Sequence, residues 1–147
     1  ALRSAIQRVR ATHPFQIDAW VLLPDHLHCI WTLPPDDADY SLRWNLIKRL
    51  TARACAGSCP DEDTATFSRI RRRESRLWQR RFREHQIRDD DDYRRHMDYL
   101  HMNPVHHGYC TRPDAWPHSS LQRLIRASLY PAGWAVSIDH DAVIGEP

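Results

Sequence analysis

His26 and His28 flank a single residue, and Tyr99 and Asn103 stand four residues apart. In an extended segment alternate side chains share a face, so the two imidazoles would emerge together. In a helix, residues four apart share a face, so the Tyr99 phenol and the Asn103 amide would be neighbours. Neutral imidazole is a common ligand for a divalent metal, and an amide oxygen can complete the shell. A phenol, with a pKa near ~10, is a poor nucleophile at neutral pH. A metal that polarises a phosphate offsets that deficit. Together these residues are the parts of a metal-assisted tyrosine nucleophile, able to cut a DNA strand by becoming joined to it.

Each part has a plainer reading. A His-x-His pair also occurs on surfaces and in zinc hydrolases. A helical tyrosine can simply be half-buried, and Asn103 before Pro104 can be a helix C-cap. His85, in Phe82-Arg83-Glu84-His85, reads equally as a proton shuttle, a phosphate contact or a surface histidine, and His96 shares the Tyr99 stripe. His101, His106 and His107 surround Asn103-Pro104 without paired ligand spacing.

The elements that must position these residues follow from periodicity. Residues 1–12 read as a helix with Leu2, Ile6 and Val9 on one face, ended by His13-Pro14. Residues 15–23 alternate as a strand, Pro24-Asp25 signals a tight turn, and residues 26–33 return as its antiparallel partner. His26, His28, Ile30 and Thr32 share one face of that return strand. Residues 41–56 predict a second helix with Leu42, Leu46, Leu50 and Ala54 as its apolar stripe, and Gly57 as a stop. Residues 58–74 read as a polar loop, and residues 77–87 as the site of a third strand. Four aspartates, Asp89 to Asp92, would cap a helix ending near Asn103, with Tyr93, Met97 and Leu100 apolar and Asp92, His96, Tyr99 and Asn103 in the stripe beside them. Ser119-Ser120 would cap a last helix through Ser128. The expected organisation is one domain over residues 1–130 and a C-terminal tail over 131–147.

Composition narrows the partners. At 147 residues, 41% hydrophobic and 27% charged, the chain suits one globular domain, and no run approaches the ~18 apolar residues of a membrane span. Lys48 is the single lysine among 21 basic residues; the rest are arginines. Arg69, Arg71, Arg72, Arg73, Arg76, Arg80, Arg81 and Arg83 cluster in one stretch. Guanidinium forks match phosphate geometry, so the cluster points to a nucleic-acid backbone, against an arginine-biased composition as the plainer account. Cys29, Cys55, Cys59 and Cys110 have neither disulfide-framework nor zinc-site spacing, which fits reduced thiols in a cytoplasmic protein.

Four motifs in order resemble the REP-associated tyrosine transposases, relatives of the transposases of single-strand insertion sequences. They are Leu23-Pro24-Asp25-His26-Leu27-His28, Leu77-Trp78-Gln79-Arg80-Arg81-Phe82-Arg83-Glu84-His85, Tyr99-Leu100-His101-Met102-Asn103-Pro104-Val105 and Trp116-Pro117-His118-Ser119-Ser120. The resemblance runs over about residues 1–127. It implies an α+β, ferredoxin-like (RRM-like) antiparallel sheet with packed helices, the HUH nuclease fold, whose first strand would precede residue 1. Asp25 stands where many relatives have Asn. By resemblance Tyr99 is the nucleophile, His26, His28 and Asn103 bind Mg²⁺ or Mn²⁺, and the product is a 5′-phosphotyrosine with a free 3′-hydroxyl. The implied partner is single-stranded or hairpin DNA at repetitive extragenic palindromes flanked by a short tetranucleotide, with no membrane and a monomer rather than a dimer. The rival expectations are a non-catalytic hairpin-binding protein, a metal hydrolase using water, and a replication- or conjugation-type HUH nuclease.

Overall fold

The computed structural model describes residues 1–56, 77–79 and 82–134. The chain divides into two compact units: Ala1–Phe15 with Leu33–His85, and Gln16–Thr32 with Gln86–Pro147. Among the described residues no helix is long and apolar enough to cross a membrane.

The first unit holds two packed helices, α1 (Leu2–Thr12) and α2 (Tyr40–Ala54). Helix α1 buries Ala5, Ile6 and Val9, the stripe its spacing predicts in all but Leu2. Helix α2 departs from expectation. Its buried stripe is Arg43, Ile47 and Thr51, one residue on from the predicted Leu42, Leu46, Leu50 and Ala54, and Leu42 is exposed. The rotation has a physical cause in Arg43, which is only 2% exposed. Its guanidinium donates to both carboxylate oxygens of Asp37, at 2.9 and 2.5 Å, and to the backbone carbonyls of Pro14 and Asp39 at 2.9 and 3.1 Å. A buried charge is tolerated when it is paired and fully hydrogen-bonded. Here the charge also ties the loop before α2 to the chain leaving α1.

The second unit is built on an antiparallel pair, β1 (Gln16–Leu22) and β2 (Leu27–Thr32), in the register Val21↔His28 and Ala19↔Ile30. A bulge between Ile17 and Ala19 removes Asp18 from the ladder, and the Asp18 carboxylate accepts a bond from Thr32 Oγ1 at 2.6 Å. The long helix α3 (Asp90–His106) lies against this pair. Ala19, Val21 and Leu23 pack with Met97 and Leu100 of α3 and with Leu124 of a short helix, α4 (Leu121–Arg126). Tyr93, Ile30, Trp116 and Tyr130 close around that core. Of the apolar stripe expected for α3, Met97 and Leu100 are buried and Tyr93 is half-buried, while Asp92 and Asn103 of the polar stripe beside it are buried as well.

Both ends of α3 are specified locally. Asp89 accepts from Asp92 N at 2.8 Å, and Asp92 reaches back to Arg88 N at 3.0 Å, a reciprocal N-terminal cap. The C-terminus differs from the sequence expectation. The helix does not stop near Asn103 but continues through Pro104 to His106. Proline forfeits only its own bond to residue 100, and the turn closes beyond it. Gly108, at φ +70°, donates to Val105 O at 2.9 Å, and Tyr109 N donates to Pro104 O at 2.8 Å. This is a Schellman closure, and it needs a residue that accepts positive φ at 108.

Two further expectations are corrected. Among the described residues, 77–79 and 82–87 form no strand. Trp78, Phe82 and Ile87 do not alternate, and Phe82 instead sets its ring beside Tyr40 and Trp44 as an isolated anchor. Of the Ser119-Ser120 pair expected to cap α4, Ser119 Oγ accepts from Leu121 N at 3.1 Å, whereas Ser120 occupies the N-cap without a capping bond and the helix ends at Arg126 rather than Ser128. The Ser120 hydroxyl accepts from Trp20 N at 2.9 Å and lies 3.0 Å from His101 Nε2. The segment 116–120 lies along β1: Leu22 N donates to His118 O and Ser120 N to Trp20 O, both at 2.9 Å, and the Trp116 indole donates to Leu22 O at 2.9 Å. Strand edges carry backbone groups that need partners, and this segment supplies them.

Candidate catalytic site

The hairpin and α3 bring three of the expected site residues into one cluster. His28 pairs with Val21 in the ladder, at the end of the face that meets α3. Its ring centroid is 6.0 Å from that of Tyr99, edge to face, and 4.9 Å from that of His26. His26 precedes the first residue of β2 and belongs to the turn, where Leu23 N donates to its carbonyl at 2.9 Å. The turn still presents its ring beside His28.

Hydrogen bonds orient these side chains. Asp25 Oδ1 lies 2.7 Å from His26 Nδ1. The bond places the proton on Nδ1, leaving the lone pair on Nε2, which is buried and has no hydrogen-bond partner. The same His26 contact is the main reason the Asp25 carboxyl is held below its ordinary value. Asn103 is fully buried. Its Nδ2 donates to Tyr99 O at 3.0 Å, one turn back, and its Oδ1 is buried without a partner. Buried acceptors left unmet are costly, so such atoms call for an explanation. An imidazole nitrogen and an amide oxygen with free lone pairs suit a divalent cation, and the donor set fits one. Burial pushes the Cys29 thiol up to about 12, so it stays protonated and is no competing thiolate ligand.

His106 and His107 join the cluster although spacing did not single them out. The His107 ring lies 5.0 Å from that of His26, and the His106 ring 6.0 Å from that of Tyr99. The signal was present: 103 and 107 are four apart, and 99 and 106 seven apart, both one-face spacings if the helix runs past Pro104. Of the expected supporting residues, His96 sits on α3 with Nδ1 2.8 Å from Asp92 O and 3.1 Å from Asp92 Oδ1. His85 is exposed and belongs to the first unit, as does the exposed Arg83. The other arginines of the cluster (Arg69, Arg71, Arg72, Arg73, Arg76, Arg80 and Arg81) lie outside the described residues. Cys29, Cys55 and Cys110 are free thiols.

A REP-associated tyrosine transposase of Escherichia coli K12 is 43% identical over 134 residues, spanning 91% of this chain and 71% of its own length. This chain belongs to the REP-associated tyrosine transposase family. A Haemophilus influenzae relative described in the same terms is 39% identical over 93% of this chain and 76% of its own. A solved structure of a REP-associated tyrosine transposase bound to a REP hairpin superposes with a TM-score of 0.80 at 42% identity, covering 99% of this chain and 78% of that one. No family model matches the chain. The α+β class expected of a REP-associated tyrosine transposase is thus the observed one. Trp116-Pro117-His118-Ser119-Ser120, the last of the four motifs, is the segment that lines the β1 edge.

Proposed function

We propose that this protein cleaves and rejoins single DNA strands at repetitive extragenic palindromic hairpins, with Tyr99 as the nucleophile. The observation that carries the assignment of Tyr99 is its ring against His28, itself against His26; Asn103, one turn on from Tyr99, has a buried Oδ1 without a hydrogen-bond partner, as has His26 Nε2. Membership of the family, and a relative solved with a REP hairpin, support the choice of substrate.

His26 Nε2, His28 and Asn103 Oδ1 would hold a divalent cation, Mg²⁺ or Mn²⁺, with Asp25 fixing the tautomer of His26. Such a cation supplies neutralisation of charge at the scissile phosphate. Tyr99 Oη attacks phosphorus as the bond from phosphorus to the 3′-oxygen breaks. The phenol gives up one proton and the departing 3′-oxygen gains one, leaving a 5′-phosphotyrosine and a 3′-hydroxyl. The phosphodiester count is unchanged, so a 3′-hydroxyl from another strand can reverse the step and join new DNA. One tyrosine permits one covalent link at a time, which suits a monomer acting in the cytoplasm.

The test is a denaturing-gel adduct assay with labelled hairpin DNA from the host's extragenic repeats, with Mn²⁺ or chelator. The expected result is a metal-dependent band that survives denaturation and is lost in Tyr99→Phe while hairpin binding persists. Adducts that persist in Tyr99→Phe would remove the residue from this role.

A further inference from the structure

The aromatic contacts around Tyr99 do not end at the histidines. From Tyr99 the rings run through His28 at 6.0 Å, His26 at 4.9 Å and His107 at 5.0 Å. They continue from His107 to Tyr109 at 5.9 Å and from Tyr109 to Trp116 at 5.5 Å. The geometry changes along this path. The early contacts are edge to face, whereas His107, Tyr109 and Trp116 are near parallel, at 23° and 29°. Tyr109 is 42% exposed, a large ring left open to water next to the cluster.

These rings are held in place by the protein itself. The Trp116 indole is fixed by its bond to Leu22 O at 2.9 Å. Tyr109 is brought back beside His107 by positive φ at Gly108 and by its own N–H on Pro104 O. A rigid, exposed, amphipathic ring is a low-entropy binding element, because little freedom is lost when a partner arrives. The flat partner with a π-face that a DNA nuclease encounters is an unpaired base, which stacks on aromatic rings with little regard to sequence.

We propose that Tyr109, backed by Trp116 and His107, is a stacking platform for one unpaired nucleobase of the strand that enters the Tyr99 site. The platform guides single-stranded DNA beside the hairpin toward the nucleophile, and the duplex stem takes no part in it. This rests on the reading of Tyr99 as a DNA nucleophile, but the platform can be tested without cleavage.

The probe is a REP hairpin with single-stranded flanks carrying 2-aminopurine at one unpaired position at a time, compared with the same hairpin lacking flanks. Full-length protein in the Tyr99→Phe background holds the DNA uncut. Stacking quenches 2-aminopurine, so quenching is expected at one flank position in the parent and in Tyr109→Phe. Tyr109→Ala and Tyr109→Leu should lose that quench and bind the flanked hairpin about ten-fold more weakly, with the flankless hairpin bound as before. Tyr109→Leu keeps apolar bulk, so the Phe and Leu pair decides the matter even if the alanine variant folds poorly. Unchanged quenching in Tyr109→Leu, or equal weakening toward the flankless hairpin, overturns the platform. Adduct formation that survives Tyr99→Phe would instead remove the nucleophile assignment and leave the quenching result to stand or fall alone.

Discussion

Asp25 offers the sharpest probe of how the site is organised, because it touches the proposed metal ligand without being one. Its Oδ1 lies 2.7 Å from His26 Nδ1, while the carboxylate is 74% exposed and the His26 side chain 30% exposed. Asp25→Ala removes the acceptor that keeps the proton on Nδ1 and the lone pair on Nε2. Carboxylate partners of metal-bound histidines typically contribute about 10- to 100-fold in metal affinity. The exposure of this pair places the expected effect at the lower end, about 10-fold, or roughly 1.4 kcal/mol. Asp25→Asn keeps an oxygen acceptor and should fall between the two. Measured as adduct yield against Mn²⁺ concentration, the half-saturation point should rise about 10-fold in Asp25→Ala. The plateau at saturating metal should stay unchanged, because Tyr99 and the DNA contacts are untouched. An unmoved midpoint, or a plateau that falls while the midpoint stays, would refute the claim that Asp25 acts through His26.

Three other consequences concern stability. Ser120→Ala leaves Trp20 N–H and the buried His101 Nε2 without their shared partner, which should cost about 1–3 kcal/mol and lower the melting temperature by several degrees; an unchanged melt would mean that the 116–120 segment is not anchored there. Gly108→Ala places a side chain at φ +70° with no atom within 4 Å of the new Cβ, so the cost is backbone strain alone, about 1–2 kcal/mol by thermal or urea unfolding. Asp37 is held down to about 2, from an ordinary value of 3.8, chiefly by its hydrogen bonds from Arg43 and then by that from Asp39 N. A carboxyl with a depressed folded-state pKa lends stability above its unfolded value and loses it as pH falls toward the folded one. Asp37→Asn should therefore lower the urea midpoint at pH 6, with the gap from the parent closing between about pH 4 and pH 2; a constant gap would contradict the pairing.

The parts of this fold legible in the sequence are those governed by local rules. The hairpin was readable because β1 alternates and Pro24-Asp25 marks its turn. The start of α3 was readable because an aspartate with another three residues on is a capping signal. What was not legible depended on partners remote in sequence. The stripe of α2 follows hydrophobicity only if Arg43 is placed outside, and nothing nearby announces that Asp37, Pro14 and Asp39 will satisfy it inside. Ser120 reads as a cap, yet its hydroxyl is taken by Trp20 and His101, 100 and 19 residues away. Local preference is a weak guide where tertiary contacts offer a polar group a better partner.

The end of α3 joins this question to the site. Proline at 104 biases Asn103 away from helix, and stopping there leaves His106 and His107 as unpatterned loop residues. One added turn, closed by Gly108, instead sets both beside Tyr99 and His26. It also changes the electrostatics. Helix carbonyls leave partial negative charge at a C-terminus, and Asn103, His106 and His107 all lie within its last turn or cap. The N-terminus carries Asp89 to Asp92, the sign that end favours. Acidic residues at the start, and Asn103, His106 and His107 at the finish, match the polarity of α3, whose C-terminal end favours positive charge. The residue that made the helix hard to read is thus compatible with what its final turn does.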